Sequence, residues 1–397
     1  MIAPKNIAIK LTAKAETILK KGHPWIFSNS IVKIQDNAHT GDVAIVFSQS
    51  ENKLIGVGLV DIESPIRIKI LSANKAIKID KSFFENRFKD AFDKRKPHLD
   101  KGITTAYRLI YGESDRLPSM IIDVYNEFVV VKLYSGIWLP YFELIKEAII
   151  SLLHPSAIVL RLGRNVAKDN ESLEESSIVF GVLDNPNITF KEYDVLFSAN
   201  LIEGHKTGYF LDHRFNRYQV GLMSKGKSVL DVFSYTGGFS VHALVGGAKT
   251  VTSIDISGQA LEVAEQNAAL NHFNGTHIIV QGDAFDILKQ MVIDKKQFDI
   301  VVIDPPSFAI QKNHIESALK QYKKLAKLGV SLCKKGGVLV LASCSSRISE
   351  DDFLATHQEV FKRLRIHPLI IQKTNHDWDH PIEIPEMGYL KTVYYQM

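Results

Sequence analysis

Cysteine is nearly absent from this sequence, since only Cys333 and Cys344 occur among its 397 residues. So few thiols exclude a disulfide framework, a four-cysteine zinc site and a cysteine-bound iron–sulfur cluster. The chain also lacks any run of about 18 apolar residues, which excludes a transmembrane helix. The first 21 residues carry lysines throughout and have no apolar centre, so a secretory signal peptide is not expected there. These absences predict a cytoplasmic protein.

A large excess of charge is also missing, because 48 basic and 44 acidic residues leave a net charge of +4. The basic residues are nevertheless concentrated in two stretches. Residues 1–35 carry six lysines against one glutamate, and residues 81–101 carry seven basic side chains. Such stretches fit a polyanion, since neutralising phosphates is what gives affinity for nucleic acid. A solvated protein surface would have the same composition.

The length predicts two or three domains. Residues 1–72 contain short strands separated by turns, which is typical of a small β-barrel. Residues 73–200 mix strands with helices, which predicts a central α+β domain. Within it, the polar stretch 163–177 is expected to be an exposed loop. Residues 201–397 form the third predicted domain.

The third domain has a regular pattern from about residue 225 onward. Continuous apolar strands alternate with helices, which predicts a parallel sheet covered on both faces, and hence an α/β fold. The last two strands follow one another with no helix between them. A parallel sheet that ends in such a hairpin resembles the seven-stranded, Rossmann-like class I methyltransferase fold.

Four of the predicted strands end in an acidic residue: Asp231, Asp255, Asp283 and Asp304. Ligands of open parallel sheets bind beyond the carboxyl ends of the strands. Asp231 would repel the pyrophosphate of a dinucleotide but attract the ammonium group of a methionine, which favours S-adenosylmethionine over NAD. Asp255 lies 18 residues after Gly237, where a ribose-binding carboxylate belongs.

The cofactor-binding candidates are therefore residues at these strand ends. Asp283 is placed to meet the adenine amino group, and the glycines after Thr236 let the backbone approach the ligand. A single acid at a strand end is more often a helix cap, but four in successive units are poorly explained in that way. The candidates at the strand ends are Asp231, Phe233, Ser234, Tyr235, Thr236, Gly237, Gly238, Asp255, Ile256, Asp283, Ala284, Asp304 and Pro305.

Cys344 is the candidate nucleophile because it follows an apolar strand within the polar run Ser-Cys-Ser-Ser. Carbon 5 of cytosine does not attack a sulfonium unaided, whereas addition of a thiolate at carbon 6 activates it. This chemistry needs one cysteine at a strand end, near an acid that can engage the base, and Asp304 on the neighbouring strand meets that need. Free cysteines are otherwise often buried. Cys333 fits that description, on the apolar face of a predicted helix.

The sequence after Asp304 gives a second indication. Two prolines fix a rigid exit from the strand, which makes Pro306 and Phe308 candidate substrate contacts. Asp-Pro-Pro followed by an aromatic residue also occurs in amino-nitrogen methyltransferases, but here Ser307 intervenes. Methylation of an amino nitrogen or of uracil carbon 5, a small-molecule methyltransferase and a non-catalytic RNA-binding protein remain alternatives.

The segments DVFSYTGGFS, DPPSF and ASCSS resemble the bacterial ribosomal RNA large-subunit methyltransferase I family. KKGHPWIFSNSI is similar to the entry of that family's N-terminal PUA barrel. The resemblance extends over the whole chain and implies a PUA barrel, a central α+β domain and a class I methyltransferase domain. It also implies 5-methylcytosine formation in ribosomal RNA, with naked RNA or a ribosomal intermediate as partner. A homodimer is left open.

The segment EGHKTGYFLDHR is similar to a family signature that precedes the catalytic sheet. The resemblance implies that Lys206, Thr207 and Tyr209 contact the substrate. It implies cofactor contacts for Phe210, Asp212 and Arg214. Related enzymes with two cysteines carry the second one where this chain has Ser307, so the base that removes the carbon 5 proton is unidentified.

Overall fold

The computed structural model describes residues 3–170, 173–309 and 311–397, and its contacts divide the chain into two compact units. The first unit comprises Met1–Phe190, Ala199–Tyr209 and Trp378–Ile384. The second comprises Lys191–Ser198, Phe210–Asp377 and Pro385–Met397. Short segments near residues 200 and 380 therefore belong to a different unit from their neighbours in the chain.

The first unit begins with a six-stranded sheet that forms a half-barrel and encloses alternating apolar side chains such as Ile7 and Ile9. The strand order is β2-β6-β5-β4-β1-β3. A helix that the sequence analysis missed follows β1, where the Thr12 hydroxyl accepts a hydrogen bond from the Ala15 amide and caps it. The elements are β1 Asn6–Leu11, α1 Ala13–Lys20, β2 Trp25–Ile26, β3 Ile31–Lys33, β4 Val43–Phe47, β5 Leu54–Val60 and β6 Ile68–Ala73.

The same unit contains a five-stranded sheet of order β11-β10-β9-β8-β7. Phe84 and Phe88 of helix α2 pack with Trp138 in its core. The prediction of a loop over residues 163–177 was wrong in part, because the stretch holds α4 and the start of β11; residues 171–172 lie outside the described part. The elements are α2 Lys81–Leu99, β7 Ala106–Tyr111, β8 Met120–Tyr125, β9 Phe128–Leu133, α3 Phe142–Leu153, β10 Ala157–Leu162, α4 Arg164–Lys168 and β11 Ser176–Gly181.

A two-stranded sheet of β12 (Asn187–Glu192) and β13 (Val195–Asn200) follows. The sequence pattern predicts one continuous strand there. The chain instead turns at Tyr193 and Asp194, whose φ angles of 49° and 61° are left-handed and end the extended backbone.

The second unit contains the predicted seven-stranded sheet, in the order β16-β15-β14-β17-β18-β20-β19. Its strands pair in parallel except at β20, which runs antiparallel to both neighbours, so the terminal hairpin is confirmed. The elements are α5 Arg214–Met223, β14 Ser228–Val232, α6 Gly238–Val245, β15 Thr250–Asp255, α7 Gly258–Ala269, β16 Thr276–Gln281, α8 Ala284–Ile293, β17 Phe298–Ile303, α9 Ile315–Leu332, β18 Cys333–Ser343, α10 Glu350–Leu364, β19 Leu369–Thr374 and β20 Lys391–Gln396.

Cys333 begins β18 rather than lying within the preceding helix, although it is buried as expected. None of the helices in the described ranges is both long and apolar enough to cross a membrane.

Candidate active site

Three of the four predicted acids meet at one edge of the second unit's sheet. Strands β15, β14 and β17 are consecutive neighbours, and Asp255, Asp231 and Asp304 lie within one residue of their carboxyl ends. Parallel pairing places all three carboxyl ends on the same side, which is where such sheets bind ligands.

Asp231 has a buried carboxyl that lacks one partner. The residue is 1% exposed, and its Oδ2 accepts hydrogen bonds from the amide (3.0 Å) and hydroxyl (2.7 Å) of Ser240 on α6. Its buried Oδ1 has no hydrogen-bond partner among the described residues. Burial raises the pKa of Asp231 to about 7, and the charges of Asp304 and Asp255 add to this against the hydrogen bonds from Ser240. An ammonium group would provide both the missing donor and the missing positive charge.

The loop from β14 to α6 has an unusual backbone. Phe233, Tyr235 and Gly237 have φ angles of 64°, 48° and 79°, and two of these are non-glycine residues in the left-handed region. Such strain concentrates at functional sites. At Gly237 any side chain is excluded, because a Cβ atom there would lie 2.8 Å from the Cβ of Ala264. The glycine at position 237 therefore lets the loop pack directly against α7.

The other predicted loop residues are anchored by the backbone. The Ser234 amide donates to the Ile254 carbonyl, and the buried Ser234 hydroxyl has no hydrogen-bond partner in the described part of the chain. The Thr236 carbonyl accepts from the Asn267 side chain at 2.9 Å, and Gly238 begins α6. Ser234 therefore adds a second unmatched polar atom to the site.

Asp255 and Ile256 form a polar and an apolar surface side by side. The Asp255 carboxylate accepts hydrogen bonds from the Tyr235 and Ser257 amides, both at 2.9 Å, which holds the loop against β15. The next residue, Ile256, is 71% exposed. The exposed Ile256 side chain suits the apolar face of an adenine. The oriented Asp255 carboxylate beside it suits the hydroxyls of the attached ribose.

Asp283 is the N-cap of α8. Its Oδ1 accepts hydrogen bonds from the amides of Phe285 and Asp286, at 2.9 and 3.2 Å. Asp283 therefore has the structural role of a helix cap, and the residue is also exposed to solvent. Ala284 is buried, and the ring of Phe285 lies edge-on to that of Phe233 at 6.5 Å.

A histidine that the sequence analysis overlooked lies against Asp304. The buried His213 Nε2 is 3.4 Å from Asp304 Oδ1, and its Nδ1 contacts the Asn216 amide at 3.1 Å. His213 stands between two predicted cofactor contacts, Asp212 and Arg214, so the signature segment itself could have pointed to it. The two side chains are close, although His213 Nε2 makes no hydrogen bond within the described residues.

Cys344 lies directly after β18 and contacts the loop after β17. Its half-buried thiol donates to the Pro305 carbonyl, with 3.8 Å between sulfur and oxygen. The two loops are joined a second time by the Ser307 and Ser345 hydroxyls, 2.9 Å apart. The Tyr322 hydroxyl, 2.8 Å from that of Ser343, anchors the second loop from α9.

The two thiols differ in environment. Cys333 is buried, and burial raises the pKa of its thiol to about 12, with the charge of Asp299 adding to the effect. It therefore stays a thiol at neutral pH and is a poor nucleophile. Pro306 is exposed beside Cys344, and the Phe308 ring packs edge-on against Tyr322 at 5.2 Å.

The first half of the signature segment belongs to the first unit. The Thr207 hydroxyl donates to Asp123 at 2.5 Å, and the Tyr209 amide donates to the Tyr125 hydroxyl at 3.1 Å. The carbonyl of Lys206 accepts from a lysine of β9. Thr207 and Tyr209 are thus buried and bonded to residues of β8.

The second half belongs to the second unit. The Phe210 ring lies edge-on to Tyr235 at 5.3 Å, in contact with the loop after β14. Asp212 accepts a hydrogen bond from the Tyr389 hydroxyl. The fully buried Arg214 forms an ion pair with Asp377 at 3.0 Å, so its guanidinium stabilises the fold around the site.

These residues fit S-adenosylmethionine. The orphaned oxygens of Asp231 and Ser234 can accept from an ammonium group. The Asp255 carboxylate suits two ribose hydroxyls, and Ile256 offers an apolar surface for adenine.

The comparisons with known proteins agree with this fit. An S-adenosylmethionine-dependent methyltransferase family matches residues 178–369, and a PUA-like domain matches residues 9–73. The chain is 34% identical to the ribosomal RNA large subunit methyltransferase of Deinococcus radiodurans over 100% of both chains. It is also 34% identical to ribosomal RNA large subunit methyltransferase I of Vibrio parahaemolyticus, covering 97% of this chain and 98% of the relative.

Solved structures share the fold. A SAM-dependent methyltransferase from Streptococcus mutans has a TM-score of 0.84 at 23% identity, covering 98% of this chain and 100% of that one. A methyltransferase solved in complex with SAH has a TM-score of 0.83 at 23% identity, covering 99% and 100%.

Fold and site together define an S-adenosylmethionine-dependent methyltransferase, which confirms the cofactor predicted from the strand-end acids. An N-terminal PUA-like domain accompanies the catalytic sheet. The chain belongs to the ribosomal RNA large subunit methyltransferase I family, as its motifs suggested.

Proposed function

We propose that this protein methylates carbon 5 of a cytosine in large-subunit ribosomal RNA, with Cys344 as covalent nucleophile. The observation that carries the proposal is the contact between the Cys344 thiol and the Pro305 carbonyl, which sets the thiol beside the Asp304 strand end. Ribosomal RNA as substrate is supported by the names of the relatives, which share at least nine-tenths of their length with this chain.

Each residue has a step in this reaction. The Cys344 thiolate forms a bond to carbon 6 while the Asp304 carboxyl gives a proton to N3, and N3 returns this proton to Asp304 when the thiolate leaves. Bound S-adenosylmethionine supplies an electrophilic methyl group, which carbon 5 takes as the methyl–sulfur bond breaks. A base then removes the carbon 5 proton, and the bond between Cys344 and carbon 6 breaks to restore the double bond. His213, at 3.4 Å from Asp304, belongs to the candidates for that base.

Amino-nitrogen methylation fits the contacts less well. Enzymes of that class use the backbone after the Asp-Pro unit to hold an exocyclic amine. Here the Pro305 carbonyl accepts from the Cys344 thiol at 3.8 Å, and methylation of an amine does not require a thiol. Uracil carbon 5 methylation would use the same thiol, and base analysis of the product distinguishes the two.

The test is a trapped adduct. RNA that carries 5-fluorocytidine at the target cannot lose a proton from carbon 5 after methyl transfer, so elimination fails. Enzyme and RNA should then stay joined through Cys344 in a denaturing gel, only when S-adenosylmethionine is present. Cys344→Ala should abolish the adduct, whereas the matched variant Cys333→Ala should retain it. An adduct on Cys333, or none from an active enzyme, would refute the mechanism.

A further inference from the structure

A buried lysine lies behind the loop that carries Cys344. Lys391, the first residue of β20, pairs in register with Ser343 and is 7% exposed. Its ammonium donates to the carbonyls of Ser345 (2.8 Å) and Ile348 (2.6 Å), the first and fourth residues after Cys344. The Lys391 side chain thus holds together the two ends of the loop that follows β18.

The charge of this lysine is not matched by its hydrogen bonds, because both go to neutral carbonyls. Buried ammonium groups are otherwise almost always paired with an anion. Burial lowers the pKa of Lys391 to about 8, while the negative charges of Cys344 and Glu350 oppose this decrease. The Glu350 carboxylate already accepts a 2.6 Å hydrogen bond from the ammonium of Lys373 on β19. Cys344 is the other group whose negative charge acts on Lys391.

Three other ionisable groups near the loop are less suited to stabilise a thiolate at Cys344. Tyr322 of α9 contacts the serines that flank Cys344, and its pKa is raised by burial, with Cys344 and Asp304 contributing, so it stays neutral. Asp304, which follows the neighbouring strand β17, is an acid and supplies no positive charge. Arg347, within the loop, is exposed to solvent. Lys391, in contrast, is a buried cation whose charge interacts with that of Cys344.

We propose that Lys391 is a positioning residue for Cys344, whose buried ammonium fixes the nucleophile loop and stabilises the thiolate form of the cysteine. The proposal rests on Cys344 being the nucleophile of the proposed function. The ammonium keeps its proton throughout the cycle. The thiolate charge that it balances disappears when sulfur bonds to carbon 6 and returns when that bond breaks.

The experiment measures thiol reactivity rather than methylation. Cys333→Ala leaves Cys344 as the single cysteine, and its alkylation by iodoacetamide is followed by mass spectrometry as a function of pH. Adding Lys391→Met should move the rate profile to higher pH and slow alkylation about tenfold near neutral pH. Lys391→Arg should restore most of the rate, because it returns the charge.

Lys334→Met is the matched control. Lys334 lies on β18, the strand that leads to Cys344, but pairs with Asp299 at 3.0 Å, so its removal should leave the profile unchanged. Affinity for S-adenosylmethionine, measured by calorimetry, should stay within about twofold in all variants. An identical profile with and without Lys391→Met would overturn the proposal.

A reciprocal measurement covers the case in which Lys391→Met does not fold. With labelled lysines, NMR should show Lys391 losing its proton at lower pH in Cys344→Ala than in the unmodified protein, because its anionic partner is gone. An unchanged titration would also overturn the proposal. Neither readout requires RNA, so failure of the cytosine adduct and failure of the Lys391 role are separate outcomes.

Discussion

At the scale of single residues, the buried carboxyl of Asp231 should make cofactor binding depend on pH. Its pKa of about 7 means that the free protein carries a protonated carboxyl below that pH. Binding an ammonium group requires the carboxylate, so a proton must be released. Affinity for S-adenosylmethionine should therefore fall as pH decreases below about 7, by up to about tenfold per pH unit.

Calorimetry in buffers of different ionisation enthalpy checks this prediction, because it counts the released protons. Asp231→Asn should bind more weakly at neutral pH and lose the dependence on acid. The exposed Asp286, which pairs with Lys289 on the surface of α8, provides the control variant Asp286→Asn. An affinity that is flat between about pH 5.5 and 7.5 in the unmodified protein would show that Asp231 does not meet a cation.

At the scale of elements, the junction of β14 and α6 should tolerate no side chain at Gly237. Gly237→Ala places a Cβ atom 2.8 Å from that of Ala264 and forces a non-glycine residue to a φ of 79°. We expect a loss of about 2–4 kcal/mol in the free energy of unfolding, from backbone strain and overpacking together, and a large loss of cofactor affinity.

Gly226→Ala separates the two causes. Gly226 has a similar φ of 72°, but a Cβ atom there would meet nothing within 4 Å. This variant should lose only about 1 kcal/mol and keep its cofactor affinity. Chemical denaturation and calorimetry of both variants give the comparison, and equal losses would show that contact with α7 is unimportant.

The strands and helices also show which elements the local sequence pattern can predict. Strands β14, β15 and β17 were predictable because both of their faces are buried, which leaves a continuous apolar run in the sequence. Helix α1 was missed because it has only eight residues and lies among short strands, where so short a segment is easily taken for a turn. The turn at Tyr193 and Asp194 was missed because alternating residues continue through it, although the backbone there is left-handed.

At the scale of the whole molecule, the basic N-terminal half-barrel should contribute to RNA binding. Residues 1–72 belong to the same compact unit as the five-stranded sheet, so substitution is a cleaner test than truncation. Lys14, Lys21 and Lys33 are exposed. Changing all three to Gln should reduce the slope of log affinity for single-stranded RNA against log salt by about 0.7 per lost phosphate contact.

Lys289, Lys295 and Lys296, which are exposed on the second unit, give a control variant with the same change in net charge. Fluorescence anisotropy over a salt series measures both slopes. Cofactor affinity should be unchanged in each variant. Equal slopes for the two triple variants would assign the RNA contacts to another surface.

The sequence by itself determined the alternation of strands and helices in the second unit, the cofactor class and the candidate thiol. Each of these depends on residues close together in the chain, or on strand ends that parallel pairing brings to one edge. Only the tertiary structure placed Lys391 behind Cys344, His213 against Asp304, and Thr207 in the first unit. These contacts join residues between 46 and 91 positions apart. The local sequence pattern does not indicate which distant side chains will pack together in the folded core.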